Sequence, residues 1–419
     1  MLAAPTPTPA PQDAPFLGLA PFLRMSIANI DLKPVGEQAL AQAQANPDSA
    51  TGWMNLSIVL QCIGQRELGL AMQAQALALQ RVYSVAARRQ PTRCRLLMLM
   101  EPGDLAANTP LECLLEDSDV ELIFYYLSAN DPLSTPLPDH DAVLVAMSDS
   151  DDNRAHLRYL EAALANWPKP VINLPRLIPC VDRATASELL HNQPGVLMPP
   201  TLRATRAQLQ AIACGASQLK EDFPECAFPL ILRPLGSQGG HGLSKIETPD
   251  DINPYLAQQP DAEFFISCFI NYSHADGYFR KIRVALIDGQ PYACHMAVSK
   301  NWMIHYVNAG MYEEAWKRAE ELAFMEGFEA FKQHHNTALQ AIARAIPLDY
   351  LCIDCAETPS GELLVFEVDH AMVIHAMDTE AQFPYKQIHM QKVKTAFREL
   401  LLRRMADHRA APSTGAAQP

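Results

Sequence analysis

Phe228-Pro-Leu-Ile-Leu-Arg-Pro-Leu-Gly-Ser-Gln-Gly-Gly-His-Gly242 is the stretch on which the fold turns. An apolar run ends at Arg233 and opens into a loop holding Gly236, Gly239, Gly240 and Gly242. Glycines adopt backbone angles closed to other residues and let loop amides approach phosphate oxygens. Residues 236–242, Ser237 and Gln238 included, therefore form a candidate phosphate cradle, with the Arg233 guanidinium offering several donors at its neck. Two better-known nucleotide loops are absent: no Lys-Ser or Lys-Thr pair closes the loop, and no dinucleotide-type spacing leads into a long helix. Leu243-Ser-Lys-Ile246 reads instead as a second strand. The loop is then a flap between two antiparallel strands; on local spacing alone, an ordinary hairpin turn with an exposed arginine fits equally well.

The flap gains meaning from a hairpin more than a hundred residues later. Leu351-Cys-Ile-Asp-Cys355 alternates as a strand, Pro359-Ser-Gly361 reads as a turn, and Leu363-Leu-Val-Phe-Glu-Val-Asp369 returns. Glu367 and Asp369 are two apart and share a face, which across the hairpin also carries Asp354. Three buried, unneutralised carboxylates are costly. A hard cation such as magnesium, shared with substrate phosphates, removes that cost. The alternative is the polar face of an exposed hairpin, against which the interleaved apolar residues argue.

Between flap and hairpin, Tyr278-Phe-Arg-Lys-Ile-Arg-Val-Ala-Leu-Ile287 and Pro291–Val298 flank the turn Asp288-Gly289, a second hairpin. Lys281 and Arg283 lie on one face and Arg280 on the other. Two cations converging on the acids would draw phosphates and stabilise charge on transferred oxygens; a surface strand balanced by Asp276 and Asp288 is the plainer reading. His295, Ser299, Trp302, His305 and Tyr306 follow as candidates to line an acceptor pocket, or to pack beneath a loop. No nucleophile elbow surrounds Ser299, so covalent serine chemistry is not expected.

Flap, cationic strand and acidic hairpin in this order resemble the ATP-grasp superfamily, specifically the glutathione synthetase-like and RimK-type carboxylate-amine ligases, from about Pro199 to Asp378. The resemblance implies ATP and Mg2+ as cofactors, with Asp354, Glu367 and Asp369 as metal ligands. It places the adenine hinge at Cys268-Phe269-Ile270 and makes Lys281 and Arg283 the catalytic cations. Three positions depart from the family pattern: Arg233 stands where a lysine is common, Cys268 where an acid is expected, and Asp369 where asparagine is usual. The implied reaction turns a carboxylate into an acylphosphate, which an amine then attacks to form an amide or peptide bond. A nucleotide-binding scaffold without turnover, and phosphotransfer without amide ligation, stay open beside it.

The expected class is mixed α/β (α+β): an ATP-grasp fold preceded by an α/β domain and an N-terminal helical module. Its expected segments are a tail over 1–15, helices over 16–90, an α/β domain over 91–198, the ATP-grasp body over 199–405 and a tail over 406–419. Trp53, Leu56, Leu60, Leu70, Ala74 and Leu77 have helical spacing about a turn at Gly64-Gln65 and resemble one tetratricopeptide repeat. A lone repeat needs neighbours. It is expected to pack on the body or at a homodimer interface, in preference to recruiting a protein partner. The net charge of −14 argues against nucleic acid as partner. Ten scattered cysteines favour a reduced, cytoplasmic protein, the single Cys352-Ile-Asp-Cys355 motif is weak as a zinc site, and no apolar run is long enough for a membrane span.

Overall fold

Ser49 opens the best-buried helix of the N-terminal region by accepting a hydrogen bond from the Gly52 amide at 3.2 Å, which satisfies one of the orphan donors of a helix start. In the computed structural model, which describes residues 15–129, 131–134, 136–237 and 239–410, this helix is the third of four: α1 (Ala20–Ile27), α2 (Lys33–Ala45), α3 (Ala50–Cys62) and α4 (Arg66–Leu79). Every residue from Trp53 to Leu60 is buried, so α3 is enclosed on all sides. The chain reverses between α3 and α4 at the expected turn. A Cβ at Gly69 would lie 2.5 Å from Gln61 Cγ, so glycine sets how closely the two helices approach. The tails expected over 1–15 and 406–419 fall largely outside the described residues, and the last helix runs over Lys386–Ala410, into the second of them.

The first sheet contains β1 (Val82–Val85), β2 (Cys94–Met100), β3 (Val120–Tyr126), β4 (Ala142–Val145) and β5 (Val171–Ile172), in the order β1-β3-β2-β4-β5. β1 is antiparallel to β3, and the other neighbours are parallel. Continuous apolar runs such as Leu96-Leu-Met-Leu-Met100 suit parallel strands buried on both faces. Apolar runs in the sequence predict strands at Arg95–Met100, Ala142–Ala146 and Pro170–Asn173, and β2, β4 and β5 lie there. β1 and β3 are not predicted: Val82–Val85 falls within the expected helical module, and Val120–Tyr126 within the acidic segment between the first two predicted strands.

After the short strand β6 (Val196–Leu197), a second sheet forms from β7 (Thr201–Thr205), β8 (Leu230–Pro234), β9 (Ser244–Ile246) and β10 (Glu263–Cys268), ordered β7-β10-β8-β9 and antiparallel throughout. The third sheet has the order β12-β11-β13-β14-β6, with β11 (Phe279–Ile287), β12 (Gln290–Ser299), β13 (Tyr350–Glu357) and β14 (Leu363–Asp369) antiparallel and β6 added parallel to β14. The mixed α/β class is the one expected.

Two cores bind the first and third sheets into one body. One unites the N-terminal helices, one face of each sheet and the helix Lys386–Ala410; the other fills the opposite faces. The second sheet has its own core, built on Leu230, Leu232, Phe264 and Ile266. Cys352 and Cys355 point into different cores, as positions three apart on a strand must, and all ten cysteines are unpaired. Among the described residues no helix is long and apolar enough to cross a membrane.

Asn173 fastens the first sheet to the third. Its Nδ2 donates to the Tyr350 carbonyl at 2.9 Å, and its Oδ1 accepts from the Tyr350 amide at 3.0 Å. The side chain thus mimics a strand partner, from a fully buried position with φ of 55°. Asn173→Ala strands both Tyr350 backbone groups away from water and should cost about 2–4 kcal/mol, measured as a shift in urea midpoint at unchanged m-value; a loss near zero would show that the joint is held elsewhere.

Candidate active site

Strand register builds the site. His295 on β12 pairs with Arg283 on β11, Arg283 with Asp354 on β13, and Asp354 with Glu367 on β14. One row of four polar residues therefore crosses four strands. The register slips on both sides of it, at Cys294 on β12 and at Phe366 on β14. Such bulges bend a strand and re-aim its side chains.

Asp354 is 1% exposed and is held by two cations. Lys281 Nζ stands 2.7 Å from Oδ2, and Arg283 donates to Oδ1 at 2.7 Å and to Oδ2 at 3.0 Å. Burial alone would raise its pKa, but the charges of Arg283 and then Lys281 hold the carboxyl far below the usual range. Arg283 also donates to the Val373 carbonyl at 2.9 Å. Arg280, on the other face as predicted, pairs with Asp276 and Glu320 at 2.7 and 2.8 Å.

Glu367 is ion-paired with Arg183. Burial works against its ionisation, yet Arg183, with Arg233 and Lys281 behind it, keeps its pKa low. Asp369 behaves in the opposite way: burial first, with the Glu367 charge adding, raises its carboxyl above the ordinary value. Asp354 thus spends both oxygens on cations, whereas Glu367 and Asp369 form the like-charged pair that a divalent cation would relieve. Arg183 takes Glu367 Oε1 and the Ala371 amide takes Asp369 Oδ1, which leaves one oxygen of each carboxylate for a cation, with Asp354 as the anchor of Lys281 and Arg283; Glu367 lines the cleft and Asp369 is not among its lining residues.

Between the second and third sheets lies an open cleft. Phe269, Ile270, Tyr272, Leu364 and Phe366 line it with apolar surface, and Arg183, Arg233, Lys281 and Glu367 with charge. Arg233, 8% exposed, donates from Nε to Ser237 Oγ at 3.1 Å and from Nη2 to the Ser237 carbonyl, so it ties the neck of the glycine loop. Gly240 has φ of 75°, and a Cβ there would sit 2.3 Å from His305 Nε2. That nitrogen is buried and has no hydrogen-bond partner among the described residues. Cys268 lines the cleft while its thiol accepts from the Ala227 amide at 3.2 Å, and the Phe269 amide donates to the Pro229 carbonyl at 2.9 Å.

The proposed acceptor residues divide. Trp302 and His305 line the cleft. His295 and Tyr306 pack ring to ring at 5.1 Å behind it, where burial and then Arg283 push the His295 ring well below its ordinary pKa. Ser299 is not among the cleft residues; it accepts from the Asn301 amide at 3.0 Å as a turn cap. Gln238 lies outside the described residues. Two features were not read from sequence. Arg183 is the first residue of a helix capped by Asp182 and reaches the site through its ion pair with Glu367. Lys386, 3% exposed, bonds Asp378 at 2.9 Å and the Tyr306 hydroxyl at 2.6 Å, and its ammonium lies 3.9 Å from the Tyr306 ring centroid. Nothing local in the sequence joins residues this far apart.

Asp354→Asn leaves Lys281 and Arg283 uncompensated and should destabilise the protein by about 3–5 kcal/mol. Inorganic phosphate should raise the melting temperature of this variant more than that of the parent. Equal responses to phosphate would show that these two cations do not face an anion site.

No family model matches the chain, and no curated protein matches it by sequence. Among solved structures, it is similar to the D-alanine–D-alanine ligase of Bacillus anthracis complexed with ATP, at 16% identity over 75% of this chain and 99% of that one, with a TM-score of 0.45. It is also similar to a RimK domain ATP-grasp protein of Sphaerobacter thermophilus, at 14% identity over 74% and 99% of the two chains and a TM-score of 0.41. The ATP-grasp ligase PsnB, complexed with minimal precursor, Mg and ADP, is similar at 13% identity over 74% and 98%, with a TM-score of 0.42.

Proposed function

We propose that the cleft binds ATP and that the chain is an ATP-dependent carboxylate-amine ligase of ATP-grasp type. The observation that carries this reading is the convergence of Arg183, Arg233 and Lys281 at the charged part of a cleft whose glycine loop closes on His305 Nε2, a nitrogen without a hydrogen-bond partner among the described residues. The apolar part suits a base: Phe269, Ile270, Tyr272 and Phe366 offer it faces and edges, with the 268–270 segment as hinge. The charged part suits polyphosphate, since Asp354 alone offsets both Lys281 and Arg283 and buried Arg233 has no carboxylate partner among the described residues.

In this reading Arg233 steadies the loop over the phosphates while Lys281 and Arg283 face the transferred one. A substrate carboxylate oxygen attacks the γ-phosphorus, the bond to the β-phosphate oxygen breaks, and ADP leaves. The amine nitrogen then attacks the acyl carbon, loses its proton, and expels phosphate. Magnesium, held by Glu367 and Asp369, would supply charge neutralisation at the phosphates. The flap shields the acylphosphate from water. His305, whose pKa is lowered by burial and then by Lys281, is neutral and free to hydrogen-bond phosphate or substrate at Nε2. The N-terminal helices act as a brace, because their apolar faces are already spent on the core shared with the last helix.

The test is release of ADP by purified protein supplied with amino acids and short peptides. Turnover should require both a carboxylate and an amine; ATP binding with none across the panel would favour the scaffold reading, and a phosphorylated product without amide would favour phosphotransfer. Arg233→Met should weaken binding of a fluorescent ATP analogue by about tenfold or more, the value of a lost charged hydrogen bond. Glu367→Gln should lower magnesium-dependent turnover by at least about a hundredfold, as removal of one strong electrostatic contributor does. Full activity of Glu367→Gln at saturating ATP and metal would count against that role.

A further inference from the structure

The structure gathers a second set of metal-ligating side chains on the far end of β13, away from the cleft. The helices Phe328–His334 and Asn336–Ala345 meet at His335, whose φ and ψ of −96° and 15° interrupt the helical path. Successive residues of a regular helix do not face each other. At this break they do: the His334 and His335 rings stand 4.6 Å apart at 80°. Glu357, the last residue of β13, reaches them from the hairpin. His335 Nε2 lies 2.7 Å from Glu357 Oε2 and His334 Nε2 lies 4.0 Å from the same oxygen, and the three ligand atoms all fall within 4.8 Å of one another.

We propose that His334, His335 and Glu357 bind a divalent transition metal of zinc's ligand preference. Two imidazole nitrogens and one carboxylate oxygen suit zinc and disfavour magnesium or calcium, which take oxygen. Tetrahedral bonds of about 2.0–2.1 Å put ligand atoms roughly 3.4 Å apart, so the observed 2.7 and 4.0 Å separations need adjustments of about 0.6–0.7 Å and the pair of imidazole nitrogens, within 4.8 Å, one of at most about 1.4 Å. His334 Nε2 also lies 3.3 Å from the Gly361 carbonyl, a contact it would give up for the metal. Three protein ligands leave a fourth position for water.

The ion would staple the helix break to the β13–β14 hairpin. Glu357 is three residues beyond Asp354 on β13, about 10 Å along an extended strand, so the staple holds the strand that anchors the cationic row without entering the cleft. Its effect is on stability: a ligand bound only by the folded state raises the melting temperature with its concentration.

The experiment uses untagged, full-length protein freed of metal by chelator dialysis. Titration with Zn2+ by calorimetry should show one saturable site, and Co2+ should develop the visible bands of a tetrahedral nitrogen- and oxygen-ligated ion. His334 has 57% of its side chain exposed, so His334→Ala should keep the metal-free melting temperature. That variant should lose the Co2+ bands and the Zn2+-dependent rise in melting temperature, and Glu357→Gln should bind at least about tenfold more weakly. Absence of saturable binding, a thiolate-type Co2+ spectrum, or unchanged affinity and stoichiometry in His334→Ala would overturn the proposal.

Discussion

One buried carboxylate organises this molecule. Asp354 sits in the middle of the third sheet with almost no exposure, and it stays ionised there only because Lys281 and Arg283 meet it at 2.7 Å. The dependence is mutual. Without the aspartate, two cations would sit close together beside an apolar core; without the cations, the aspartate would be neutral or the sheet unstable. Pairing fixes the rotamers of both basic side chains, and of the two Lys281 lines the cleft. The bulges at Cys294 and Phe366 fit the same constraint, since they flank the row whose side chains must converge.

Around that row the cores divide the labour. The first and third sheets share both of their cores, whereas the second sheet, with the glycine loop, packs on a core of its own. The cleft lies where these two arrangements face each other, with the loop from the second sheet and the ion row from the third. Arg233 belongs to the loop side and Arg183 to the body side, and the positive charge of Arg183 is felt at Arg233, whose pKa burial has already lowered. Anionic ligand between them relieves both, and this gives the phosphate reading its physical basis.

Much of this was legible because it is local. The strands β8 and β9 around the flap, and β13 and β14 around Pro359-Ser-Gly361, follow from alternation and turn residues, and alternation also placed Asp354 and Glu367 on one face. Register then supplied what alternation alone does not: Arg283 is the direct neighbour of Asp354, so the expected metal ligand is first of all a partner of cations. β1 and β3 were missed because four residues between helix and sheet carry little signal, and because acidic residues flank Val120–Tyr126. Arg183, Lys386 and Asp378 were invisible for another reason. Their meaning comes from contacts such as Arg183 with Glu367, 184 positions apart, and short-range patterning is blind to that.

The central claim is that the ion row and the glycine loop together hold a nucleotide triphosphate. A crystal structure of the protein with magnesium and a nonhydrolysable ATP analogue tests it most directly. The account predicts the base beside residues 268–270, the triphosphate beneath residues 236–242 within hydrogen-bond reach of Arg233 and Lys281, and the cation on Glu367 and Asp369. An empty cleft at saturating analogue, or a nucleotide bound away from Arg233 and Lys281, would contradict it.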